Sequence, residues 1–393
     1  MNAVLATLVD WKEVFPRQCL GVEAFIKCGV RGSLIPLLIN YLQGRTMKVK
    51  WNGLTSSERE LNGGGPQGAT FGIWEYLVQS NDNSDCVDPE YRYKFVDDLT
   101  ILEKINLLII GLASFNCQAT VPSNIPSHNQ FIPAEHLESQ EYLKKIQEWT
   151  ENQKMKLNKK KTKVMIFNFT SEHQFTANLR LDNEDLEVVE QAKLLGVIIS
   201  NDLKWDQKTS YLVKKANSRM ELLRKVAEFT TSMEDKKTIY VLYIRSILEQ
   251  SCVVWHSSLT QENSEDLERV KKAAIKIILG NRYETYEDAL DKVNLDSLKE
   301  RREILCKKFA EKCITSDNVR CKEIFEIRKK SHAMKTRNEE SYVVNHANTE
   351  RLKKSAVPYL QRILNLEESM RKGGIKRKII QHQNKERKKR RPG

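Results

Sequence analysis

Residues 91–104, YRYKFVDDLTILEK, set two acids, Asp97 and Asp98, side by side between two runs of strand-forming residues. Neighbouring strand residues point to opposite faces, so these carboxylates can share a site only if the backbone turns there. The stretch predicts a strand–turn–strand, and its tip has two readings. It is either a metal-binding catalytic tip or a solvated hairpin turn, where Asp is favoured by its local hydrogen bonds.

Working outward, residues 1–10 predict a buried strand, with Val4, Leu5, Leu8 and Val9 leading to Asp10. SLIPLLINYLQ (33–43) predicts a helix and TMKVKWNG (46–53) an alternating strand. GGGPQG (63–68) demands a turn, because three glycines and a proline continue neither helix nor strand. ATFGIWEYLVQ (69–79) returns to a helical period. Residues 116–133, rich in Pro, Ser and Asn, predict a surface loop. Tyr142, Leu143, Ile146 and Trp149 fall on one face of a helix. KVMIFNF (163–169) and AKLLGVIIS (192–200) each predict a strand, and LRLDNEDLEVVE (179–190) a hairpin turning at Asp182–Asn183. From about residue 207 the period is helical: Leu212, Val213, Ala216, Met220, Leu223 and Val226 share a face. LERVKKAAIKIIL (267–279) is similar, and Ser297 with Glu300 forms a capping box.

The fold class is therefore α+β, with a mixed first part (1–206), a helical part (207–330) and a C-terminal region with a basic tail (331–393). At 393 residues the chain is long enough for two or three cores. Its net charge of +13 is unevenly placed, because residues 371–393 carry eleven Lys/Arg against one acid, Glu386. Two basic clusters, Lys376–Lys378 and Lys385–Arg391, read as nuclear import or nonspecific RNA/DNA attachment, or as a disordered solvated tail. That tail has no aromatic side chains, so base stacking is not its mode. The start lacks a basic signal-peptide region, and the longest apolar run, LLIIGLA (107–113), is too short to span a bilayer. Eight cysteines without a C-x-x-C pair predict reduced thiols and an intracellular setting, nuclear on one reading of the tail. Cys306, Cys313, Cys321 and His332 are poorly spaced for zinc and read as buried or incidental thiols.

Three features stand in an order that chemistry can explain. Asp10 ends a hydrophobic strand, a Gly-Pro-Gln-Gly turn follows, and Asp97–Asp98 come 87 and 88 residues after Asp10. Nucleotidyl transfer uses two Mg²⁺ ions that stabilise the attacking and leaving oxygens. Mg²⁺ takes carboxylate oxygens, waters and substrate phosphates. Singly, each feature has a bland reading: a helix N-cap, a loop, a turn.

In this order the chain resembles the reverse transcriptase of non-LTR (LINE-type, jockey-like) retrotransposons over roughly residues 1–315. LVDWKEVF looks like motif A, GGGPQGATFG motif B, YKFVDDLTILE motif C, KLNKKKTKVMIF motif D and KLLGVIISNDLKW motif E. SILEQSCVVWHSSLTQENSEDLERVKKAAIKIILG (246–280) looks like the region that follows. The resemblance implies a polymerase palm, an antiparallel sheet packed with helices, then a helical thumb-like region. It implies Asp10, Asp97 and Asp98 as catalytic metal ligands for two Mg²⁺ ions, with Mn²⁺ an alternative. It places Phe15 under the incoming sugar, Gln67 beside nucleotide and template, and Gly65 and Gly68 where backbone approaches closely. Phe95 and Val96 fall near the primer end and nucleotide, Lys161 beside the leaving pyrophosphate, and Leu195 and Gly196 at the primer grip. Read without it, Phe15 is a core side chain, Lys161 a solvated charge, and Leu195–Gly196 a strand interrupted by glycine.

The implied partners are an RNA template, a DNA primer and dNTPs, with no membrane. Two departures stand out. Pro16 occupies the place of motif A's second acid, and Met1 lies nine residues before Asp10, so the family's fingers and endonuclease are expected to be missing. Little or no polymerase activity is then expected of the chain alone. The alternative function is a catalytically inactive nucleic-acid-binding remnant of such an element.

Overall fold

The computed structural model describes residues 2–12, 22–61, 63–65, 69–106, 129–169, 174–229, 232–325, 342–344 and 346–366. Phe15, Gln67, Gly68, the run 107–113, His332 and the basic tail lie outside the described residues. The chain is of mixed α+β type and divides into two compact units, Met1–Leu203 and Lys204–Gly393.

The first unit is built on β1 (Asn2–Val9), β2 (Arg92–Phe95), β3 (Asp98–Asn106), β4 (Lys163–Phe167) and β5 (Glu187–Val188). These form one mixed sheet in the order β5-β4-β1-β3-β2. β5 runs parallel to β4, and the other neighbours are antiparallel. Alternation along β1 and β3 gives the sheet a covered and an open face. Leu5, Val9, Leu99 and Ile101 are buried on the covered face. There they share a core with Leu143 and Ile146 of the amphipathic helix Glu138–Asn152. Glu103 of β3 anchors that helix, accepting from the Glu138 and Ser139 amides at 3.1 and 3.0 Å. A carboxylate so placed satisfies orphan N–H groups and opposes the helix dipole.

Three further helices belong to this unit: Glu23–Lys27, Leu34–Leu42 and Thr70–Gln79. The stretch read as one strand at 46–53 is instead the first arm of a hairpin. Thr46–Met47 pairs with Arg59–Glu60 and Lys50–Trp51 with Leu54–Thr55. The turn residues Asn52 and Gly53 both have positive φ, which Asn-Gly accepts readily. Two other expectations are corrected. Within the supposed loop 116–133, Asn129–Ile132 is a strand, paired in parallel with Gln174–Ala177. The supposed single strand 192–200 is a hairpin, β6 (Gln191–Leu194) and β7 (Val197–Ser200). The turn expected at Asp182–Asn183 is present, both residues having positive φ.

The second unit is helical. Leu212, Ala216, Met220 and Leu223 line the buried face of α1 (Asp206–Phe229). That face packs on α2 (Gln261–Leu279), which contributes Leu267, Ala274, Ile275 and Ile278. The capping box opens α3 (Leu298–Thr315), with reciprocal hydrogen bonds between Ser297 and Glu300. No described helix is long and apolar enough to cross a membrane.

Candidate active site

The β1/β3 register runs from Asn2↔Asn106 to Val9↔Leu99. Continuing it by one residue sets Asp10 opposite Asp98 on the open face. Asp97 sits in the two-residue turn between β2 and β3, since Phe95 pairs with Asp98. The charge of Asp97 acts on both of the other acids. Asp98 is held above the usual carboxylate range, first by burial, then by Asp97 and Asp10. Asp10 is raised by burial and by Asp97, against the pull of Lys161 and a hydrogen bond with Asn158.

The turn itself is strained. Val96, its first central residue, has φ +57°, a region disfavoured for a β-branched side chain. Such outliers cost about 1–3 kcal/mol and cluster at functional sites. Beside it, Phe95 is 62% exposed on the open face.

Lys161 lies at the same place: its Nζ is 3.8 Å from Asp10 Oδ2, an ion-pair distance too long for a hydrogen bond. Asp10 Oδ2 is otherwise a buried oxygen without a hydrogen-bond partner. The loop carrying Lys161 also grips the backbone of Asp10. Asn158 N donates to Asp10 O at 2.8 Å, and Asp10 N donates to Thr162 Oγ1 at 3.3 Å. The neighbouring backbone is tied down too, Lys12 N donating to Lys156 O at 2.8 Å. Sequence reasoning missed Asn158 and Thr162, because their role is to hold backbone far away in the chain. It also missed Tyr76, a buried phenol of the helix Thr70–Gln79. Burial above all, with the charges of Asp97 and Asp98, pushes Tyr76 up to about 12 despite a hydrogen bond with Ser80.

Leu195 and Gly196 form the two-residue turn of the β6–β7 hairpin, with φ +47° and +81°. Two positive φ values give the turn that suits a tight hairpin, although Leu is an unusual residue there. Leu194 and Leu195 help line an apolar groove of about 500 Å³ on the open face, with Val4, Leu8, Tyr93 and Phe167. The structure thus brings Asp10, Asp97, Asp98 and Lys161 together. Leu195 and Gly196 are on a separate hairpin of the same unit, and Gly65 is partly buried.

The donor set suits Mg²⁺ chemically, being hard carboxylate oxygens with one buried oxygen unpartnered. Among the described residues, however, no group of three His, Cys, Asp or Glu side chains stands close enough to hold a metal ion.

No protein-family model matches the chain. It is similar to a protein of Drosophila melanogaster named "Probable RNA-directed DNA polymerase from transposon BS", 23% identical over 260 residues. The match covers 64% of this chain and 26% of the fly protein, so the chain spans about a quarter of its relative's length. This similarity supports the reverse-transcriptase resemblance carried by the motifs.

Proposed function

We propose that the chain is the palm and thumb-like portion of an RNA-directed DNA polymerase of a non-LTR, LINE-type and jockey-like retrotransposon. It would add dNTPs to the 3′-hydroxyl of a DNA primer on an RNA template. The observation that carries this reading is the juxtaposition at the open end of β1 and β3. Asp10 stands opposite Asp98, Asp97 occupies a strained turn, and Lys161 lies against Asp10.

Asp10, Asp97 and Asp98 would hold Mg²⁺, with Mn²⁺ an alternative. An ion that keeps several waters and takes substrate phosphates needs only one or two carboxylates at a time. When bound, such ions stabilise charge on the attacking and leaving oxygens. The chain's own residues supply the rest. Thr162 and Asn158 fix the Asp10 backbone, and Lys161 places a cation where negative charge gathers on a leaving pyrophosphate. Phe15, Gln67, Gly68, Phe95 and Val96 take the nucleotide-side roles given by the motifs, and Leu195–Gly196 the primer grip.

The test is dNTP incorporation on poly(rA)·oligo(dT) with Mg²⁺ or Mn²⁺. Slow, metal-dependent extension abolished by Asp97→Ala and Asp10→Asn is expected. Wild-type incorporation no greater than that of Asp97→Ala refutes the reading, and binding of the duplex would then leave an inactive nucleic-acid-binding remnant.

A further inference from the structure

The strand that leads to Asp97 lies at an edge of its sheet. β2 pairs with β3 alone among the described residues, so its outer side has no strand to hold it. It runs straight into the turn at Val96, whose φ of +57° a β-branched residue resists. A strained turn keeps its shape only where the surroundings over-determine it. A metal-binding carboxylate demands that, since its geometry tolerates errors of only about 0.5 Å.

Two side chains of β2 offer support. Alternation sends Tyr93 and Phe95 to the open face, and Arg92 and Lys94 to the other side. Arg92 Nη1 lies 2.7 Å from Asp85 Oδ1, but this pair is at the surface, where ion pairs contribute little. Lys94 reaches inward instead. Its Nζ donates to the carbonyl oxygen of Ser80, a residue only 1% exposed. Burial lowers Lys94 to about 8, while the charges of Asp82 and Asp85 hold it up.

Ser80 is the C-cap of the helix Thr70–Gln79. The last carbonyls of a helix have no intrahelical donor, and its C-terminus carries partial negative charge, so an ammonium there answers both. Lys94 thus ties the end of this helix to a point two residues before Val96. The other end of the helix begins just after Gln67 and Gly68, which the motifs place on the nucleotide side. The loop between helix and strand is anchored as well, Trp149 Nε1 donating to Asp82 Oδ1 at 3.0 Å.

We propose that Lys94 is a positioning residue for nucleotidyl transfer, fixing the β2–β3 turn, and so Asp97, against the helix that follows the motif B turn. This rests on the polymerase reading of the site. Lys94 acts through the backbone of its own strand and not by contact with the reacting atoms.

The experiment compares wild type, Lys94→Met and Lys94→Arg as full folded chains, by amide hydrogen exchange and by steady-state dNTP incorporation. Lys94→Met should speed exchange at Phe95 and Asp98 roughly tenfold, while amides joining β1 to β4 keep their wild-type rates. It should lower kcat about tenfold to a hundredfold and change the KM for dNTP less than about twofold, because a displaced ligand weakens the transition state more than substrate binding. Lys94→Arg keeps a cationic donor and should return both readouts to within about threefold of wild type. Should Lys94→Met fail to fold, Lys94→Gln, a neutral donor of shorter reach, replaces it with the same expectations. Unchanged exchange at the turn, exchange that speeds equally throughout the first unit, a wild-type kcat, or no recovery in Lys94→Arg would each overturn the proposal while leaving the polymerase reading intact. Wild-type incorporation no greater than that of Asp97→Ala would refute that reading, and the role of Lys94 in catalysis with it.

Discussion

Asp98→Asn should stabilise the first unit at neutral pH, although it removes a residue the proposed chemistry needs. The substitution keeps the shape of the side chain and deletes one of three mutually repelling charges. Like charges directly opposite on neighbouring antiparallel strands cost about 0.2–1 kcal/mol. The acids here are only partly shielded from solvent, which argues for the middle of that range, roughly 0.5 kcal/mol. The pH dependence fixes the sign. Both Asp10 and Asp98 have folded values raised above the unfolded carboxylate. Their contribution to stability is therefore greatest below about pH 4 and falls as pH rises through the folded value. The advantage of Asp98→Asn should be absent near pH 3.5 and full at pH 7. Amide hydrogen exchange along β1 and β3 is the suitable assay, because it reports this unit alone. Weaker protection in the variant at pH 7, or an equal gain at both pH values, would refute the electrostatic reasoning. Mg²⁺ at a hundred times its dissociation constant should stabilise wild type by about 2.7 kcal/mol and reverse the order of the two proteins.

Thr162→Val should destabilise the first unit by about 1–3 kcal/mol in urea unfolding, because the buried hydroxyl that accepts from Asp10 N is lost. Val96→Gly should raise stability by about 1 kcal/mol, since glycine adopts the positive φ without the side-chain penalty and gives back part of the gain in unfolded-state entropy. Glu75 is fully buried with neither carboxylate oxygen hydrogen-bonded, and burial raises it against the pull of Arg45. Glu75→Gln should therefore raise the urea midpoint at pH 7 and lose that advantage near pH 4, as the wild-type acid takes up its proton.

Much of this architecture is legible in the sequence where one residue type answers one local demand. Asp-Asn at 182–183 and Asn-Gly at 52–53 announce turns because both accept positive φ. Ser297 and Glu300 announce a helix start, and the spacing of Leu143 and Ile146 announces a buried helix face. The β6–β7 hairpin was hidden because Leu195 enters the left-handed region against its own preference, and Gly196 reads as an interruption within one strand. Asn129–Ile132 was hidden because its partner strand lies more than forty residues on, and its flanks have the composition of a loop. Asn158 and Thr162 carried no signal at all. Their bonds reach a backbone about 150 residues earlier, and the loop's three lysines draw attention to charge rather than to its anchoring ends.

The placing of the acids follows from the core rather than from any attraction among them. Eight residue pairs join β1 to β3, with Leu5, Val9, Leu99 and Ile101 all turned to the covered face. A slip of β1 by one residue would put Val4, Ala6 and Leu8 on the covered face and turn Leu5 and Val9 outward. Each large apolar side chain buried contributes about 1.5–3 kcal/mol, so even the two of β1 outweigh a repulsion of roughly 0.5 kcal/mol. The hydrophobic register therefore forces Asp10 and Asp98 together, and the Val96 turn brings Asp97 to the same edge. Such an arrangement persists at a cost in strain and repulsion that a bound cation would relieve. On this reasoning a variant that loosens the register, such as Leu99→Ala, should lower Asp98 toward the ordinary carboxylate range as the acids separate. Titration of the Asp98 carboxyl by NMR would show it, and an unchanged value in a folded Leu99→Ala protein would show instead that burial alone holds that acid up.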